Sequence, residues 1–132
     1  MTIAALIYGF IPPFADFNQT HVFNPLWTRH AKFHVVWQVI ITFALAVLGI
    51  TLVWVKKVEK EFSITISFLL GLIVLGGFMI NASVTSLYGG GLSDPNGVPR
   101  IFNNLVDANL FTFLVGLVCL LAGYFMYRAK GE

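Results

Sequence analysis

The order of apolar and polar positions along the chain is dominated by long runs with no charge in them. Residues 33–55 contain no Asp, Glu, Lys or Arg, nor do residues 62–88, and residues 110–127 form a third such run. Each reaches or approaches the ~20 residues that a helix needs to cross ~30 Å of hydrocarbon. Only helices and closed barrels satisfy the backbone in lipid, and these runs are too long and too uniformly apolar for barrel strands. A fourth apolar stretch opens the chain, interrupted by Pro12 and Pro13. Proline removes a donor and disfavours helix in the residue before it, so this stretch is expected to be a kinked helix that still crosses. The pattern predicts an all-α, four-helix transmembrane bundle in a single domain, with spans near 2–18, 30–55, 62–88 and 105–127.

The connections support that count. Lys56, Lys57, Val58, Glu59, Lys60 and Glu61 form a short charged loop, which makes the second and third helices antiparallel neighbours. Residues 89–99 are rich in Gly, Pro and Asp, and Asp94, Pro95, Asn96 and Gly97 read as a turn. Asn24 followed by Pro25 reads as an N-cap and first helical position for the second helix.

Composition agrees with the pattern. Of the 132 residues 58% are hydrophobic and 11% charged, against about 45–50% and about 25% in soluble domains. The surplus apolar surface calls for a lipid bilayer as partner. A net charge of +2 with no basic stripe argues against nucleic acid. One cysteine, Cys119, rules out an intramolecular disulfide and a cysteine-based zinc site, and reads as a packing residue. Met1 to Ile11 lacks the basic segment and cleavage site of a secretory signal and is expected in the mature chain. With four spans, Lys56, Lys57, Lys60, Arg128 and Lys130 share one side, and Arg29, Lys32 and Arg100 the other. The richer side is expected to be cytoplasmic, with both termini there.

Polar residues concentrate at the opposite ends of the helices. His30, His34, Gln38 and Thr42 recur every four residues on the second helix, a spacing that places them on one face. Gly77, Asn81 and Thr85 repeat the spacing on the third, and Asn103 and Asp107 on the fourth. Asp16, Asn18, His21 and Asn24 precede the second helix. Polar groups in hydrocarbon face a bundle interior or a wet cavity. A polar pocket is therefore expected at this end, lined by Asp16, Asn18, His21, His30, His34, Gln38, Asn81 and Asp107. The alternative is that these groups only hydrogen-bond one another and hold the helices together. Ser63, Ser67 and Gly71 on the third helix, and Gly116, Cys119 and Gly123 on the fourth, are small residues that permit close helix packing, within the bundle or in a homo-oligomer.

His30 and His34, four apart, suit two imidazoles on one metal, with Asp16, His21 or Asp107 as a third ligand for zinc or iron. The intervening Glu of a metalloprotease and the Glu-x-x-His pairs of di-iron bundles are absent from the sequence. An interfacial histidine pair with Asp or Asn neighbours is the alternative. Acid–base chemistry by His34 with Asp107 or Asp16 is a further one. Three functional classes stay open: a binding or accessory subunit of a larger membrane complex, a membrane enzyme acting on a lipophilic substrate, and a structural subunit. The apolar halves of the helices argue against a transport path.

Residues 15–34 carry a denser motif. Asp16, Asn18, Thr20 and His21, then Phe23, Asn24, Pro25 and Trp27, then His30, Ala31, Lys32, Phe33 and His34 resemble the signature of a family of small multi-span membrane proteins with a domain of unknown function. Thr28 and Arg29 stand where that family commonly has two prolines. The resemblance implies the multi-span fold and a motif of interest, and brings no activity with it.

Overall fold

The computed structural model describes residues 1–92, 101 and 105–130. The expected Asp94–Gly97 turn, Arg100 and Asn103 lie outside the described residues. Four α-helices follow one another: α1 (Thr2–Asp16), α2 (Arg29–Trp54), α3 (Lys60–Val84, continued by a 3₁₀ turn over Thr85–Leu87) and α4 (Ala108–Lys130). The chain is an all-α bundle. α2, α3 with its 3₁₀ turn, and α4 are each long and apolar enough to cross a membrane. α1 is shorter: its 15 residues rise about 22 Å. It runs through Pro12 and Pro13 to Asp16, so the two prolines leave the carbonyls of Tyr8 and Gly9 without their usual helical donors.

Local chemistry sets the helix starts. α2 begins at Arg29, because Thr28 Oγ1 accepts the Ala31 N–H at 3.2 Å. Asn24 is therefore not its N-cap. Its amide is spent in the preceding turn, donating to the Thr20 carbonyl at 3.2 Å and accepting from Leu26 N–H at 3.0 Å, while the residue is buried. Glu59 caps α3 through the N–H groups of Glu61 and Phe62. Asp107 Oδ1 accepts from Asn109 N–H at 2.9 Å and Leu110 N–H at 3.1 Å, which starts α4 at Ala108 rather than near residue 105.

The helices stand in a ring in chain order, α1 beside both α2 and α4, with α1 and α3 also touching across one diagonal. Trp54 Nε1 donates to Thr2 Oγ1 at 3.1 Å, and Arg128 pairs with Glu61, so the start of α1, the end of α2, the start of α3 and the end of α4 meet at one end. That end is closed by small residues. Ala4, Ala5, Tyr8, Ala46, Leu75 and Leu120 form its buried core, and Ser63, Ser67 and Gly71 face inward on α3. Ser67 Oγ donates to the Gly49 carbonyl at 2.9 Å, binding α3 to α2 without a ladder of large side chains. Gly9 lies directly against Ala46, and Gly71 against the Leu120 side chain, too close in both cases for a Cβ. Large apolar residues point the other way: Ile73, Ile80, Val118, Phe125 and Met126 are all well exposed.

This packing predicts a sharp contrast between glycines. Gly9→Leu forces α1 away from α2, and overpacking of this kind costs about 1–3 kcal/mol. It is expected to lower the thermal midpoint of the detergent-solubilised protein clearly. Gly77→Ala projects into open space and is expected to leave the midpoint unchanged or slightly raised.

Candidate functional site

Away from the closed end the four helices line a partly open cavity of about 260 Å³. Among the described residues the backbones of α2 and α4 do not approach one another across their diagonal, and both helices face the cavity. α1 contributes Ile11, Pro12, Ala15 and Asp16; the following loop contributes His21; α2 contributes Val35, Gln38, Val39 and Thr42. Phe78 of α3 and Ala108, Asn109, Thr112 and Phe113 of α4 complete the wall. One part of the lining is polar, with a carboxylate, an imidazole, two amides and two hydroxyls. The rest is aliphatic and aromatic, including the Phe78 and Phe113 rings stacked with centroids 4.1 Å apart.

The loop orients His21 through a chain of hydrogen bonds. Asn18 Nδ2 donates to the Ala15 carbonyl at 2.8 Å, which fixes the orientation of its amide. Its Oδ1 accepts both the Thr20 N–H at 2.8 Å and the Thr20 hydroxyl at 2.6 Å. A hydroxyl has one proton, so Thr20 Oγ1 can only accept in its 2.7 Å contact with His21 Nδ1. His21 must then carry a proton on Nδ1, a tautomer assigned by the hydrogen-bond network. Its Nε2 is left for Asp16, whose Oδ1 lies 3.9 Å away. Trp27 packs edge-on against the imidazole, with centroids 5.3 Å apart. Both side chains of the Asp16–His21 pair are about four-fifths shielded, exposed by 24% and 18%. Taking a carboxylate this far out of water is costly unless a cation or donors compensate.

Of the residues expected at the pocket, Asp16, His21 and Gln38 line it. Asn18 does not reach the wall and acts from behind through Thr20 and His21. Asp107 is buried beside the wall residues Ala108 and Asn109, and its carboxylate is used in capping α4. Asn81 is exposed on α3, where Oδ1 accepts the Tyr88 hydroxyl at 2.5 Å. His30 and His34 are exposed on α2 and pair with each other, Nε2 to Nε2 at 3.0 Å. They do not line the cavity.

The reason is helical drift. Four residues turn a helix by about 400°, so each step of the stripe advances about 40° around the axis. From His30 to Thr42 the stripe winds by about 120° over about 18 Å. Its outer members face outward, Gln38 sits at the cavity rim, and Thr42 faces in. No group of three or more His, Cys, Asp or Glu side chains able to hold a metal ion exists among the described residues, so Asp16, His21 and Asp107 do not join His30 and His34 around zinc or iron. Nor is a proton-transfer pair of His34 with Asp107 or Asp16 formed; the imidazole beside a carboxylate is His21. Asn109, Thr112, Phe78 and Phe113 were not anticipated. Ala108 and Thr112 are four apart, and Asn109 and Thr112 three apart, on the first turns of α4, the one sequence signal that could have placed them.

No known protein family, no curated protein and no solved structure matches the chain.

The tautomer assignment predicts an NMR outcome. In wild-type protein at a pH where His21 is neutral, the imidazole ¹⁵N shifts are expected to show Nδ1 protonated. Thr20→Val removes the acceptor and is expected to shift the population toward the Nε2–H form. An Nε2–H form in the wild type contradicts the network.

Proposed function

We propose that the chain is an integral membrane protein that binds one small amphipathic molecule in the cavity between its helices. The membrane reading rests on three apolar helices of spanning length and on an interior in which Ala, Gly and Ser pack around a few larger side chains such as Tyr8, Leu75 and Leu120, beneath an exterior of Ile, Leu, Phe and Val. Lipid tails are as apolar as Leu, so bundles in lipid gain by close backbone packing rather than by hiding large side chains. In this reading α1 passes with its neighbours to make four passes. Both termini face the cytoplasm, on the side of Lys56, Lys57, Lys60, Arg128 and Lys130.

The observation that carries the binding reading is the mixed polar and apolar lining of the cavity. A cavity that only served packing would have no use for Asp16, His21, Gln38, Asn109 and Thr112 among Ile11, Val39, Phe78 and Phe113. Apolar lining with a few placed polar groups is the usual composition of small-molecule sites. At about 260 Å³ the space lies just below the ~300–1,000 Å³ of drug-sized pockets. It suits a short amphiphile rather than a whole phospholipid. The polar stripe of α2 gives a path for a polar head, from His30 and His34 on the outside past Gln38 to Thr42. Association with other membrane subunits or with a second copy is compatible with this role.

Native mass spectrometry of the detergent-purified protein tests the proposal. The wild type is expected to release one small amphiphile per chain, or to take up one from an added mixture. Ala15→Trp, which fills the cavity from α1, is expected to lose that capacity while keeping the helical content of the wild type. Equal uptake by the variant would show that the cavity is not the site.

A further inference from the structure

We infer that the ligand of this cavity carries a primary amine, held as an ammonium between Asp16 and His21; the inference rests on the binding role proposed above. Among the described lining residues Asp16 is the one acidic side chain, and no lysine or arginine stands with it. The protein thus holds a largely shielded carboxylate in a mainly apolar, partly open cavity without a permanent positive charge at its side. Such a charge stays ionised only with a cation or several donors close by.

His21 does not fill that need when neutral. Its Nδ1 proton is committed to Thr20, so Nε2 presents a lone pair toward a carboxylate oxygen 3.9 Å away. With Asp16 ionised, two acceptors stand across a gap too wide for a direct hydrogen bond. The gap is the right size for a shared donor. A nitrogen about 2.8 Å from each atom would see them about 90° apart, and each bond would bend by only about 10° from a tetrahedral N–H direction, well within hydrogen-bonding tolerance. Ammonium supplies two such N–H groups and the positive charge together. A hydroxyl supplies one proton and no charge, a carboxylate adds repulsion, and a quaternary ammonium has the charge but no N–H.

The rest of the wall fits the same molecule. Gln38, Asn109 and Thr112 offer further oxygen acceptors for the third N–H. The stacked Phe78 and Phe113 rings, with Val39 and Ile11, offer an apolar and π-rich surface to a short hydrocarbon body.

The test uses four probes with one tail: hexylamine, hexanol, hexanoate and hexyltrimethylammonium. Binding to the full-length protein in a zwitterionic detergent is measured by isothermal titration calorimetry. Hexylamine is expected to bind at least about tenfold more tightly than the other three, in line with the gain from charge-assisted hydrogen bonds. Asp16→Asn is expected to erase that preference and leave the weak binding of hexanol in place. Hexanol, hexanoate or hexyltrimethylammonium binding as tightly as hexylamine would overturn the amine assignment and leave the cavity reading standing. Failure of all four to bind would overturn the cavity reading and this inference with it.

Discussion

The close approach of α1 to α2 and of α3 to α4 through residues without bulk is the constraint on which the other features depend. Gly9 against Ala46, Gly71 against Leu120, and the Ser67 bond to the Gly49 carbonyl draw the helices together from mid-height toward the end that holds the N-terminus. Most buried side chains lie there or at mid-height. The same four helices, continued past Val39 and Phe78, no longer meet through small residues. A space opens between α2 and α4, and α1 ends beside it with Asp16. A tightly closed end thus positions an open one, and the cavity's shape follows from helix packing rather than from a dedicated loop.

The loop after α1 sets the chemistry of part of the cavity wall. Asp16, Asn18, Thr20 and His21 are four consecutive links in one arrangement. Asn18 is oriented by Ala15, Thr20 by Asn18, and His21 by Thr20, until Nε2 faces Asp16. Each residue type is required by its place. An amide is needed to donate one way and accept the other, a hydroxyl to give its proton and then accept, and an imidazole to carry the constraint to its far nitrogen. The motif that stands out in the sequence as Asp-x-Asn-x-Thr-His therefore has a physical reading that needs no catalytic step.

Much of the fold was legible because hydrophobic run length and small-residue spacing report directly on helices packed in an apolar surround. The three long helices, the charged loop after α2 and the inward ladder of Ser63, Ser67 and Gly71 all follow from those two signals. The site was legible only in part. Asp16, His21 and Gln38 were reached through their polarity at one level of the bundle. His30 and His34 were placed with them because i, i+4 spacing approximates a straight face, and over twelve residues that approximation fails by about 120°. Asn24 was misread for a related reason. A side chain suited to capping a helix is equally suited to tying a turn, and the hydroxyl of Thr28 was nearer to the first free N–H groups. Asn109 and Thr112 were missed because short polar residues on the first turn of a helix look like ordinary termini until a second element faces them.

Site-directed thiol labelling tests most directly for an accessible, ligand-sized space toward the open end of the bundle, beside a solidly packed core. With Cys119 replaced by Ser, single cysteines are placed at Thr112 on the cavity wall and at Leu75, which is 0% exposed in the packed core. The rate of reaction with a small cationic methanethiosulfonate is then followed in the folded protein. The account predicts ready labelling of the residue 112 thiol, slowed by added hexylamine, and no labelling at residue 75. A residue 112 thiol as inert as that at residue 75 would mean that no such cavity exists in the working protein.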